Sequence, residues 1–189
     1  SIIVVLGDIR ITSLYGMFGI SYINDVFSMI LSIVTIIFII NAFNIIDGIN
    51  LLAGSVCILM SLAFGTWFFF YGFFDYAILA VAMSGAVLAF LKYNYTPAKI
   101  FMGDSGSLSI GLLAAVLAIQ FIEKNEMVLS SGKSEGIKIV AAPAMAIAIL
   151  IIPLFDTLRA FTLRIINKKS PFEADRNHIH HRLIDLGLS

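Results

Sequence analysis

Five stretches of this 189-residue chain carry no charged side chain, and each is about as long as a bilayer is thick. Between Asp25 and Asp47 lie 21 uncharged residues, between Asp47 and Asp75 27, between Asp75 and Lys92 16, between Asp104 and Glu123 18, and between Lys138 and Asp156 17. A helix crossing the hydrocarbon needs about 17–25 mostly apolar residues, and the shortest gap suffices once Lys92 snorkels to the interface. Backbone groups inside lipid must be satisfied within their own segment, which selects helices, and the alternation of a membrane β-barrel is not seen. Spans are therefore expected near 26–43, 52–70, 76–92, 107–122 and 139–155.

Composition removes the soluble alternatives. Hydrophobic residues make up 60% of the chain and charged residues 13%, with zero net charge and a mean hydropathy of +1.00. A soluble domain of this size cannot hide so much apolar surface. There is no basic excess to neutralise phosphates, so nucleic acid is not a partner. The single cysteine, Cys57, lies in an apolar run and reads as packing. The class is all-α, a multispanning transmembrane helical bundle of about five full spans. Residues 1–7 add a partial N-terminal span, and residues 8–25 read as an interfacial connection.

Counting crossings sorts the polar segments. Residues 44–51, 93–106 and 156–189 fall on one face, with Lys92, Lys99, Arg159, Arg164, Lys168, Lys169, Arg176 and Arg182. The other face holds Arg10, Lys124, Lys133 and Lys138. The positive-inside rule makes the first face cytoplasmic. Arg159 and Arg164 read as a basic helix end at the membrane surface, and the aromatic run 67–71 as an interfacial belt. Pro143 and Pro153 fall inside the last span, where membrane helices tolerate kinks.

Three polar motifs share the first face. In NAFNIIDGIN, Asn41, Asn44, Asp47 and Asn50 recur every three residues and form a stripe at the end of an apolar helix. Polar groups so near the membrane interior point to function, although Gly48 also makes the segment a plain helix terminus. In FMGDSGS, residues 101–107, Asp104 offers hard oxygens for magnesium, and the glycines and a helix starting near Ser107 suit a phosphate. A tight turn with Ser107 as N-cap is the plainer alternative. In DRNHIHHRL, residues 175–183, His178, His180 and His181 lie between Arg176 and Arg182. That cluster suits a metal, a proton shuttle or a diphosphate, or is a solvated charged loop.

Taken together and in this order, NAFNIIDGIN, AKIFMGDSGS and NHIHHRL resemble the polyprenyl-phosphate N-acetylhexosamine-1-phosphate transferases, most closely the bacterial undecaprenyl-phosphate N-acetylglucosaminyl-1-phosphate branch. The resemblance implies a single integral-membrane transferase domain over 1–189. That domain transfers a sugar-1-phosphate, GlcNAc-1-phosphate by expectation, from a UDP-sugar to undecaprenyl phosphate and releases UMP. It would work at the cytoplasmic face of the bacterial inner membrane, initiate envelope polysaccharides such as O-antigen or teichoic acid linkages, and allow a homodimer. Magnesium, or manganese in its place, is the implied cofactor, on Asp104 and Asn44. Asp104, His178, His180 and His181 are the implied catalytic residues. Asn41, Asn44, Asp47, Asn50, Phe101, Gly103 and Arg182 are the implied substrate contacts, with Phe101 stacking on uracil. Here Leu51 follows Asn50 where the family usually carries glycine. The family's aspartate-rich motif lies upstream of Ser1, and its members continue with further spans after the histidine loop. The expectation is therefore a central-to-C-terminal portion that is inactive alone. The competing readings are a non-catalytic membrane fragment and a transporter-type bundle.

Overall fold

The computed structural model describes residues 4, 7–131 and 139–166. Within them the protein is helical, with no strand among the described residues. Helix α1 spans Asp25–Ile46, α2 Leu52–Phe70, α3 Phe74–Asn94, α4 Gly103–Ser130, α5 Ala142–Ile149 and α6 Ile151–Ile166. Asn24 starts α1 by accepting the Phe27 N–H at 2.8 Å. The first four helices are each long and apolar enough to cross a membrane. They reproduce the expected spans with longer ends, since the charges at 25, 92, 104 and 123 lie inside helices.

Two antiparallel pairs make the body, α1 against α4 and α2 against α3, and α4 also packs on α2. Small residues allow the close approaches, as expected where lipid tails supply no hydrophobic drive between helices. A Cβ on Gly65 would lie 3.0 Å from the Ala80 methyl, and one on Gly111 would lie 2.7 Å from the Ile40 Cα. Phe43, Phe64, Met60, Leu117, Ile119 and Phe121 are fully buried between the pairs. Cys57 is buried with them, as expected. On the outside, Val34, Ile37, Leu62, Ile78, Val81 and Leu88 are exposed, the apolar surface of a protein solvated by lipid. This is an integral membrane protein.

The aromatic belt divides. Phe69 and Phe70 are exposed as expected, but Trp67 and Phe68 are core residues. The Trp67 ring stacks on Tyr71 at 4.7 Å and meets the Phe121 edge at 4.9 Å.

The fifth expected span is not one helix. It breaks at Leu150, and α5 and α6 meet at a 78° bend. Proline position explains the break. Pro143 sits in the first turn of α5, where a missing N–H costs nothing. Pro153 has no N–H for the Ile149 carbonyl and its ring would strike that carbonyl in a continuous helix. Helix α5 ends at Ile149, and Pro153 falls in the first turn of α6. With eight residues, α5 is about 12 Å long and crosses less than half the hydrocarbon. The crossing count that placed 156–189 on the first face assumed an unbroken span. Helix α6 instead packs along α1. Arg164 is buried there, and Arg159 lies 3.7 Å from buried Asp156, so neither is an open surface charge.

The far end of the bundle is closed by the 8–24 connection, which carries an isolated bridge between Ser13 and Tyr22. Glu123 accepts the Thr12 N–H at 2.8 Å and the Thr12 hydroxyl at 2.7 Å. Asn125 donates to the Tyr15 hydroxyl at 3.2 Å and to the Ile139 carbonyl at 2.7 Å. Burial is the main reason that the Tyr15 pKa is pushed up to about 12.

Candidate functional site

The C-terminal end of α1 and the N-terminal end of α4 meet at the opposite end of the bundle. Asn44 Nδ2 donates to Asp104 Oδ1 at 3.1 Å and to Ser107 Oγ at 3.0 Å. Asn44 is half-buried, Ser107 buried and Asp104 exposed, so the carboxylate opens outward from a fixed base. The two motifs, 60 residues apart in sequence, are therefore one site, as the expected crossing count required.

Helix α4 begins earlier than expected, at Gly103 rather than near Ser107. Gly103 has φ +64, a left-handed backbone that explains a glycine at this position. Asp104, Ser105 and Gly106 form the first helical turn. Ser107 is not an N-cap; its hydroxyl bonds back to the Gly103 carbonyl at 3.1 Å. Met102 at the N-cap supplies no side-chain acceptor. The first amides of a 28-residue helix thus point out of the α4 end, where the positive end of its dipole favours anions.

Asp47 follows the last residue of α1 and accepts the Gly103 N–H. Burial, with a smaller contribution from the nearby Asp104 charge, pushes its carboxyl up to about 6, against the lowering effect of that hydrogen bond. Asp47 and Asp104, with an amide, a hydroxyl and a helix N-terminus beside them, offer oxygens that suit a cation and donors that suit phosphate oxygens. The donor set fits magnesium, which takes one or two carboxylates and leaves its other positions to water and substrate phosphates. Among the described residues no group of three His, Cys, Asp or Glu is placed to hold a metal ion.

Three other expected site residues sit differently. Asn41 is exposed, and its Nδ2 donates to the Ile37 carbonyl of its own helix at 2.7 Å. The stripe fails there because steps of three fall short of a full turn by about 60° each, which leaves positions 41 and 47 about 120° apart. Asn50 is half-buried in the turn after α1. Phe101 is 76% exposed and lines, with Phe90, Met102 and Ser105, a groove of about 420 Å³ between α3 and α4. His178, His180, His181 and Arg182 lie outside the described residues.

Sequence reasoning noted Leu51 in place of glycine but did not single out Asn94. Asn94 is buried at the end of α3, accepts the Leu51 N–H at 2.7 Å and donates to the Ile100 carbonyl at 2.9 Å. Leu51 itself has φ +69. An asparagine at a span end three residues before Pro97, and a leucine where the resembling family carries glycine, were the available signals.

Comparison with known proteins shows the family. Residues 1–122 match the model of glycosyl transferase family 4. The chain is 33% identical over 187 residues to a decaprenyl-phosphate N-acetylglucosaminephosphotransferase of Mycolicibacterium smegmatis, covering 92% of this chain and 45% of that protein. It is 35% identical over 159 residues to a probable undecaprenyl-phosphate N-acetylglucosaminyl 1-phosphate transferase of Bacillus subtilis, covering 84% and 41%. It is 31% identical over 193 aligned positions to the undecaprenyl-phosphate alpha-N-acetylglucosaminyl 1-phosphate transferase of Escherichia coli (strain K12), covering 100% and 49%. The chain thus spans about half the length of the curated relatives it matches. With the family model covering well over half of its residues, the chain belongs to glycosyl transferase family 4.

Proposed function

We propose that the complete protein transfers GlcNAc-1-phosphate from UDP-GlcNAc to undecaprenyl phosphate and releases UMP, at the cytoplasmic face of a bacterial inner membrane. What supports this reading most is the meeting of Asn44, Asp47, Asp104 and Ser107 at one end of a lipid-solvated bundle. A membrane-embedded acceptor and a water-soluble nucleotide sugar can meet only at such an end.

The reaction forms a bond from an acceptor phosphate oxygen to the sugar-bearing phosphorus. It breaks the bridge to the UMP phosphorus, so one pyrophosphate linkage replaces another. Asp104 and the Asn44 amide would hold magnesium; the two ends of an amide are nearly isosteric, so a half-turn presents the Asn44 oxygen. A cation held by these two residues would supply the charge that neutralises phosphate oxygens and the charge left on UMP. Ser107 Oγ, 3.0 Å from the Asn44 amide, would then donate to the Asn44 oxygen. The N–H groups of the first α4 turn that follow Gly103 donate to the remaining phosphate oxygens. Asp47, Asn50 and Phe101 seat the nucleoside, while His178, His180, His181 and Arg182 supply further donors to the diphosphate.

Because the linkage is conserved, the reaction runs backwards, and labelled UMP exchanges into UDP-GlcNAc when product lipid is present. Membranes carrying the full-length protein should show magnesium-dependent exchange, lost in Asp104→Asn. Undiminished exchange in that variant removes the assigned role of Asp104.

A further inference from the structure

Two loops frame the site, 47–51 after α1 and 95–102 before α4, and one buried side chain touches both. Asn94 is 6% exposed. Its Oδ1 accepts from the Leu51 N–H and its Nδ2 donates to the Ile100 carbonyl. Leu51 adjoins Asn50, and Ile100 adjoins Phe101. The amide therefore spans the two segments that carry the nucleoside contacts. Leu51 holds φ +69, a left-handed conformation that L-residues rarely adopt. Such a conformation persists only where its surroundings over-determine it. The 2.7 Å bond to Asn94 is one such determinant.

We propose that Asn94 is a positioning residue for nucleotide recognition: it fixes the Asn50–Leu51 turn against the Ile100–Phe101 segment, so both edges of the nucleoside site are set before substrate arrives. The proposal rests on the functional reading above. Only a primary amide offers a donor and an acceptor from one short side chain; a carboxylate lacks the donor, and a hydroxyl is too short for both partners. The phosphate end of the site is held separately, through the α1–α4 contact of Asn44 with Asp104 and Ser107. Loss of the strut should weaken nucleotide binding and leave the chemistry at Asp104 in place.

The test uses the purified full-length protein, with UMP affinity by calorimetry and steady-state kinetics with UDP-GlcNAc. In Asn94→Ala, which loses both bonds and leaves the Leu51 N–H and the Ile100 carbonyl without this partner, the UMP Kd and the KM for UDP-GlcNAc should rise at least about 10-fold. The kcat should stay within about threefold, and the magnesium half-saturation should not move. Adding Leu51→Gly to Asn94→Ala should recover much of the lost affinity, because glycine adopts positive φ unaided. That rescue separates positioning from general damage. Should Asn94→Ala fail to accumulate, the isosteric Asn94→Asp keeps the Leu51 acceptor and loses the donor to Ile100, with a smaller rise of several-fold in the same two constants. A UMP Kd and KM unchanged in the variant that folds, a kcat that falls while KM stays, or no rescue by Leu51→Gly overturns the proposal. A parent protein that neither binds UMP nor exchanges it overturns the functional reading, and this inference with it. A parent that does both, beside an indifferent Asn94 variant, overturns this inference alone.

Discussion

Gly111→Ala tests whether the α1–α4 crossing builds the site. A Cβ at Gly111 would stand 2.7 Å from the Ile40 Cα and 3.1 Å from its carbonyl oxygen, against 3.4 Å for ordinary contact. Both obstacles are backbone, so no rotamer change relieves them. The helices must part by about 0.7 Å at that level. Asn44 follows Ile40 by one turn and Ser107 precedes Gly111 by one turn, so most of the displacement reaches the site. Adding it to 3.0 and 3.1 Å stretches the Asn44 bonds to Ser107 and Asp104 to about 3.7 and 3.8 Å, beyond hydrogen-bond length. Overpacking of this kind destabilises by about 1–3 kcal/mol. A misplacement approaching 1 Å at a reacting centre costs on the order of 10²-fold in rate. The expected result is a folded protein with a lower Tm in detergent and UMP exchange reduced at least tenfold. Gly85→Ala is the control, since its Cβ would meet nothing within 4 Å. Full exchange in Gly111→Ala, or an equal loss in Gly85→Ala, would refute the claim that this contact sets the site.

Two further outcomes follow from the same geometry. The Asp47 pKa is raised from 3.8 to about 6, so the folded state holds the extra proton between those values. The Asp47 contribution to stability, measured in chelator as the difference between the parent and Asp47→Asn, should therefore be full below about pH 4 and be lost as pH rises through 6; a difference of the opposite slope sinks the assignment. Glu123→Ala removes both bonds to Thr12 at the far end of the bundle and should cost about 2–3 kcal/mol in unfolding experiments. Below its Tm it should exchange UMP normally, because Glu123 lies 19 residues beyond Asp104 on α4, about 28 Å away.

Charge-free gaps located α1 to α4 because lipid allows a spanning backbone so few solutions. The same rule did not reveal the break within 139–155. Hydropathy measures whether a segment tolerates lipid and says nothing about whether its hydrogen-bond ladder is continuous. Pro153 interrupts that ladder at Ile149, and two prolines ten residues apart at the starts of two short helices were the sign.

The site divides along a similar line. Asp104 and Asn44 were legible because a carboxylate and an amide at the ends of apolar helices are expensive unless used. Asn41 looked equivalent by spacing, yet its side chain satisfies itself on Ile37, which one strand of sequence cannot distinguish from a ligand. Asn94 was hidden for the reverse reason. Its partners are a backbone N–H 43 residues earlier and a carbonyl six residues later, and backbone groups leave no mark on residue type. The trace it does leave is indirect. A leucine can occupy a left-handed turn where related chains use glycine only if something else holds that turn. The departure from the family pattern at Leu51 was thus a statement about Asn94, and coordinates were needed to join the two.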